Sequence, residues 1–178
     1  DLPGQNPSGF SPDSEIGTLP LETCQTMNGM WGYQIDDQNY KSPKELIQYL
    51  VQAAGNDANL LLNICPQPNG ELPALAIDRL KEMGKWMKVY GETIYGTRGG
   101  IVPQRAWGVT TQKDNKLYVH ILDLQDDALF LPITDKKVKK AVRFVDNQPV
   151  KFSQDKDGVL LHLGEVPTDI DYVVTLEF

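Results

Sequence analysis

The hydrophobic period of this chain changes once, at Gly96-Thr97-Arg98-Gly99-Gly100, and that change restricts the fold more than any other feature. Before it, short apolar runs alternate with stretches of helical spacing. After it, apolar residues recur at every second position. Periods of 3.6 and of two belong to different elements, so two architectures must lie in series. A length of 178 residues leaves room for one ordinary domain or two small ones.

In the first part, residues 1–18 are dense in Pro and Gly and read as a loop. Leu19, Leu21 and Cys24 predict a short buried strand that carries Glu22 and opens into a loop with Gly29, Trp31, Gly32 and Tyr33. Asp36-Asp37-Gln38-Asn39 reads as a solvated connection. Ser42-Pro43-Lys44-Glu45 is a helix start: Ser42 and Glu45 have capping-box spacing, and Pro43 suits the first helical position. Leu46, Ile47, Leu50, Val51 and Ala54 fall on one face, and Gly55-Asn56 ends the helix. Asn59 to Ile64 is a continuous apolar run, the pattern of a strand buried on both faces of a parallel sheet. Pro73 opens a second helix with Ala76, Leu80, Met83, Met87 and Tyr90 on one side. Strand, helix, strand, helix is the repeat of an α/β domain.

In the second part, Leu117, Val119 and Ile121 alternate, then Leu129 to Ile133, Val142 and Phe144, Val150 and Phe152. Asp157-Gly158 is a hairpin signal, followed by Val159, Leu161 and Leu163, and Val174, Leu176 and Phe178 close the chain. Short strands at this spacing predict an antiparallel β-sandwich. The expected division is therefore residues 1–98 and residues 99–178.

Composition narrows the chemistry. The net charge is −7 and both halves are acidic, so nucleic acid is not an expected partner. Lys136, Lys137, Lys139 and Lys140 form one basic cluster, read as a solvated turn or strand edge. No apolar run reaches membrane-spanning length, and no signal peptide is visible at residue 1. Cys24 and Cys65 are read as buried free thiols rather than a disulfide. The two histidines, His120 and His162, lie far from both and are expected on a strand surface, so no metal site is predicted.

The motifs around the first strand carry a family resemblance. Glu22-Thr23-Cys24, Thr26-Met27-Asn28 and Trp31-Gly32-Tyr33 resemble the W-E-T-C…W-G-Y signature of the α-L-fucosidases of glycoside hydrolase family 29. The match continues through Tyr40-Lys41-Ser42, Leu60 to Pro66 and Gly91 to Arg98. Leu21 stands where many members have Trp, and Cys65 where most have Gly.

The resemblance implies the last two β/α units of a TIM-like barrel followed by a β-sandwich. It implies a retaining hydrolase acting on fucosylated glycans, which needs a carboxylate nucleophile and a carboxylic acid/base. The nucleophile, an Asp of an earlier strand, has no counterpart here and is expected upstream of residue 1. Three positions are open for the acid/base: a carboxylate upstream, Glu22, or Glu15 on the Pro/Gly-rich loop. As the acid, Glu22 would need burial among Trp31 and its neighbours; otherwise it braces the loop. Trp31 is the expected substrate contact, its indole face suiting the methyl edge of fucose. Asn63 is expected on the same side of the barrel, bracing loops more than touching sugar. No cofactor is implied. The expected partners are the glycan and the N-terminal part of the catalytic domain, with oligomerisation open. The expected compartment is periplasmic, lysosomal or secreted. The alternative is a carbohydrate-binding or structural sandwich, for which Trp107, Tyr118, Phe130 and Tyr172 are the candidate aromatics.

Overall fold

A computed structural model describes residues 21–178. Glu15 and the leading loop lie outside the described residues. Strand β1 (Leu21–Thr26) runs parallel to β2 (Ala58–Asn63), with Glu22 opposite Asn59, Cys24 opposite Leu61 and Thr26 opposite Asn63. Helix α1 (Pro43–Gly55) lies between them in sequence and α2 (Ala74–Tyr90) follows. Ser42 caps α1 as its spacing predicts: its hydroxyl accepts from the Glu45 amide at 3.2 Å, and Glu45 reaches back to the Ser42 amide at 2.7 Å. The Ser42 hydroxyl, which lies 2.7 Å from the Glu45 carboxylate, and then the Ser42 amide hold the Glu45 carboxyl below the ordinary glutamate range. A depressed carboxyl stabilises the fold above its unfolded titration, and the contribution fades as pH falls through the folded one.

The expectation that β2 is buried on both faces is not met. Leu60 and Leu62 pack toward the helices, while Asn59 and Leu61 are exposed, Leu61 by 50%. Among the described residues β1 and β2 form a two-stranded sheet, so helices cover one face and the other is open. Glu22, Cys24, Thr26, Asn59, Leu61 and Asn63 share that open face by strand alternation.

The second half forms two antiparallel sheets. Strands β3 (Arg98–Gly99), β4 (Gly108–Lys113) and β5 (Lys116–Ile121) are followed by β6 (Ala128–Leu131), β7 (Lys140–Arg143), β8 (Lys151–Gln154), β9 (Val159–His162) and β10 (Tyr172–Glu177). Their orders are β3-β4-β5-β10-β7 and β6-β9-β8. Leu117, Val119, Ile121, Val174 and Leu176 of the larger sheet meet Leu129, Leu131, Val159 and Leu161 of the smaller one in a single apolar core. The sandwich is as the alternation predicts.

The outer face of the larger sheet is also covered. Val109 of β4 and Leu122 pack with Ile47 and Val51 of α1 and Trp86 of α2. Trp86 stacks on Tyr90, Tyr90 on Phe144, and Phe144 meets Tyr118 edge-on, with centroids 5.2, 5.7 and 5.9 Å apart. Helices, five-stranded sheet and three-stranded sheet therefore make three layers.

His120 corrects the sequence reading: it is fully buried on the helix side of β5, not at a strand surface, whereas His162 is exposed. Its Nδ1 lies 2.8 Å from the Asp171 carboxylate and its Nε2 3.1 Å from the Thr111 hydroxyl. The Thr111 hydroxyl also lies 2.7 Å from the Thr93 carbonyl. This chain of bonds ties the turn after α2 to β4, β5 and the start of β10.

Two substitutions test the layering. A Cβ on Gly55 would stand 2.0 Å from Val109 Cγ2, so Gly55→Ala should destabilise by about 1–3 kcal/mol through overpacking. Gly55→Ala with Val109→Ala should cost less than the sum of the single changes in urea denaturation. His120→Leu should cost about 3–5 kcal/mol by leaving Asp171 buried without its partner, and adding Asp171→Leu should recover part of it. Additive losses in either pair would contradict the contacts described.

Candidate active site

The loop after β1 is built by hydrogen bonds that close it on itself. Met27 continues the parallel ladder by donating to the Asn63 carbonyl at 3.0 Å, and Lys41 donates its amide back to the Met27 carbonyl at 2.9 Å. Both ends of residues 27–41 are thus pinned to the strands. Met27 is buried with Leu46 and Ala76, which seats the base of the loop on both helices. Lys41 Nζ donates to the Thr26 carbonyl at 2.6 Å and lies 3.3 Å from that of Asn28. Burial holds this ammonium below the ordinary lysine range, against the opposing pull of Glu45 and Asp37.

Asp37 is the brace inside the loop. Its carboxylate accepts from Asn28 Nδ2 at 3.1 Å, the Gly29 amide at 3.0 Å and the Asn39 amide at 3.1 Å. The sequence reading took Asp36-Asp37 as solvated, which holds for the exposed Asp36 only. The Asn39 amide bonded to the Asp37 carboxylate closes an Asx turn.

At the tip of the loop Trp31 is 60% exposed, beside exposed Met30. Its backbone is held, with Asn63 Nδ2 donating to the Trp31 carbonyl at 2.9 Å. Trp31 and Asn63 therefore meet at the C-terminal end of the strand pair, the end where parallel α/β folds build their sites. Glu22 does not join them. It is the second residue of β1, exposed on the open face, about 13 Å of strand before Thr26 at ~3.3 Å per residue. The burial among Trp31 and its neighbours that an acid role would need is absent in the described residues.

Cys65 follows β2 and is buried, with Sγ 3.1 Å from the Met30 carbonyl. Cys24 is half-buried, and neither cysteine is joined in a disulfide. Cys65 has φ of 54°, a left-handed conformation that suits glycine, which explains why Gly would fit this position. Tyr40 packs on the same knot: burial raises its hydroxyl above the ordinary tyrosine range, helped by Cys65, Asp37 and Tyr33.

The sandwich aromatics are mostly inward. Tyr118 is buried, Trp107 and Tyr172 are partly buried against the core, and only Phe130 of the four candidates is exposed, by 50%. No flat aromatic platform is formed by them, contrary to what a carbohydrate-binding sandwich would need.

A family model described as Alpha-L-fucosidase matches residues 6–92. The plasma α-L-fucosidase of Pongo abelii is 32% identical over 157 residues, covering 82% of this chain and 34% of the relative. The α-L-fucosidase of Dictyostelium discoideum is 30% identical over 126 residues, covering 66% of this chain and 27% of the relative. The structure of α-L-fucosidase isoenzyme 1 from Paenibacillus thiaminolyticus superposes with a TM-score of 0.80 at 35% identity, over 89% of this chain and 40% of that one. The chain thus spans about a third or less of these curated relatives. Motif order, family model and shared architecture agree, and the chain belongs to the α-L-fucosidase family.

Proposed function

We propose that this chain is the C-terminal portion of a retaining α-L-fucosidase that removes terminal α-L-fucose from glycoconjugates. On this reading residues 1–98 complete a TIM-like catalytic barrel and residues 99–178 form the sandwich behind it. The observation that carries it is the Trp31 indole, exposed at the C-terminal end of a parallel strand pair and held through its backbone by Asn63. An indole so fixed offers a flat apolar surface to the methyl edge of fucose.

Retention needs a nucleophilic carboxylate and an acid/base about 5–5.5 Å apart. The nucleophile is expected from an Asp upstream of residue 1. The short span of the chain against its relatives supports that reading. The acid/base is assigned to the upstream part as well. Glu22 is given a positioning role on the open strand face, and Glu15 stays the minor candidate, outside the described residues. The open face and the free edges of β1 and β2 fit a partner that is the rest of the same catalytic domain. The substrate class suits a periplasmic, lysosomal or secreted setting, and relatives include a plasma enzyme. Among the described residues no helix is long and apolar enough to cross a membrane.

Hydrolysis of an aryl α-L-fucoside tests this directly. The chain joined to its upstream part should be active, and this chain alone inactive; activity of the chain alone would refute the upstream nucleophile. In the joined enzyme, Trp31→Ala should lower kcat/KM by about tenfold or more, roughly 1.4 kcal/mol of lost transition-state stabilisation. Asp37→Ala should cost about 1–3 kcal/mol of stability and raise KM by loosening the Trp31 loop. Equal kinetics in wild type and Trp31→Ala would remove the indole from the substrate site.

A further inference from the structure

A chain of polar side chains, Asp37, Asn28, Cys65 and Asn63, joins the Trp31 loop to the end of β2. Asn28 and Cys65 are buried, at 2% and 3% exposure. Asn28 links two of its neighbours: its Nδ2 donates to Asp37 at 3.1 Å, and its Oδ1 lies 3.5 Å from Cys65 Sγ. Cys65 Sγ also lies 3.1 Å from the Met30 carbonyl and 2.9 Å from Asn63 Nδ2. The same Asn63 nitrogen donates to the Trp31 carbonyl at 2.9 Å. A side-chain amide carries two donor hydrogens, enough for both contacts. The carbonyls of Met30 and Trp31 are therefore held by adjoining groups, the first by Cys65 and the second by Asn63.

The backbone of Cys65 adds an independent observation. Its φ of 54° lies in the left-handed region, which disfavours any residue with a Cβ and costs glycine little. A residue kept in such a conformation is held there by its surroundings. Here the surroundings are the contacts of its sulfur with Met30, Asn28 and Asn63. A thiol is a weak donor and a weak acceptor, so no single contact is strong. Its effect is one of placement, because one atom meets three groups that shape the tip of the loop.

We propose that Cys65 is a positioning residue for the substrate contact made by Trp31: its thiol joins Met30 to Asn63 and Asn28, and so fixes the direction in which the loop presents the indole. This deepens the α-L-fucosidase reading, and its kinetic consequence rests on that reading.

The test uses the complete enzyme, this chain joined to its upstream part, and three variants. Cys65→Gly removes the thiol and relieves the left-handed backbone. Cys65→Ala removes the thiol and keeps the strain. Cys65→Ser keeps a hydrogen-bonding group. On an aryl α-L-fucoside, Cys65→Gly and Cys65→Ala should both raise KM about fivefold with kcat changed by less than about twofold, the pattern of binding lost equally in ground and transition states. Cys65→Ser should restore KM toward the wild type. Hydrogen exchange of residues 27–41, followed by mass spectrometry, should quicken about tenfold in the Gly and Ala variants and less in the Ser variant. A cysteine that only fills space would give a different result: Cys65→Gly would melt above Cys65→Ala, with KM and loop exchange the same in all variants, and this would overturn the proposal. If the wild type hydrolyses no fucoside, the fucosidase reading fails and exchange alone decides Cys65. Faster loop exchange in both Gly and Ala variants would then support its positioning role, and unchanged exchange would overturn it.

Discussion

Strand β5 is buried on both faces, and the rest of the molecule is arranged by that. Leu117, Val119 and Ile121 point into the sandwich, while Tyr118 and His120 point at the helices. Every side chain of a strand so enclosed must find a partner, apolar on one side and hydrogen-bonded or aromatic on the other. The ladder Trp86, Tyr90, Phe144 and Tyr118 meets that demand for α2, at about 0.5–1.5 kcal/mol per aromatic pair beyond burial. The His120–Asp171–Thr111 chain meets it for the turn behind α2.

Fixing α2 in this way has consequences at its other end. Ala76, near the start of α2, packs with Met27 and so seats the Trp31 loop. The larger sheet of the sandwich thus supports the helix that seats the Trp31 loop. Gly55 serves the same docking: the end of α1 reaches Val109 only because no side chain intervenes.

The site loop depends on polar bonding rather than on a core of its own. Asp37, Lys41 and Asn63 supply inward hydrogen bonds in place of an apolar interior, while the Trp31 side chain stays exposed. A loop held by its backbone can expose a large aromatic without losing its shape, which is the preorganisation a binding site needs.

Local chemistry was legible from residues alone. The capping box at Ser42 and Glu45, the Asp157-Gly158 hairpin and the alternation of the sandwich strands each rest on residues a few positions apart. The meeting of Trp31 and Asn63 at the strand end follows from the motif order, since Asn63 closes β2 and Trp31 lies in the loop after β1. Other features could not be read this way. The alternation that marks Leu117, Val119 and Ile121 as core marks Tyr118 and His120 as surface, and only the helices packed across that surface reverse it. Asp37 and Asp36 are equivalent in sequence until the loop folds back on one of them. Glu22 stood in the right motif, yet strand length set it far from the Trp31 loop. The sequence by itself determined which elements form and where period changes. Tertiary structure alone decided which faces are buried and which polar groups meet, because those depend on partners distant along the chain.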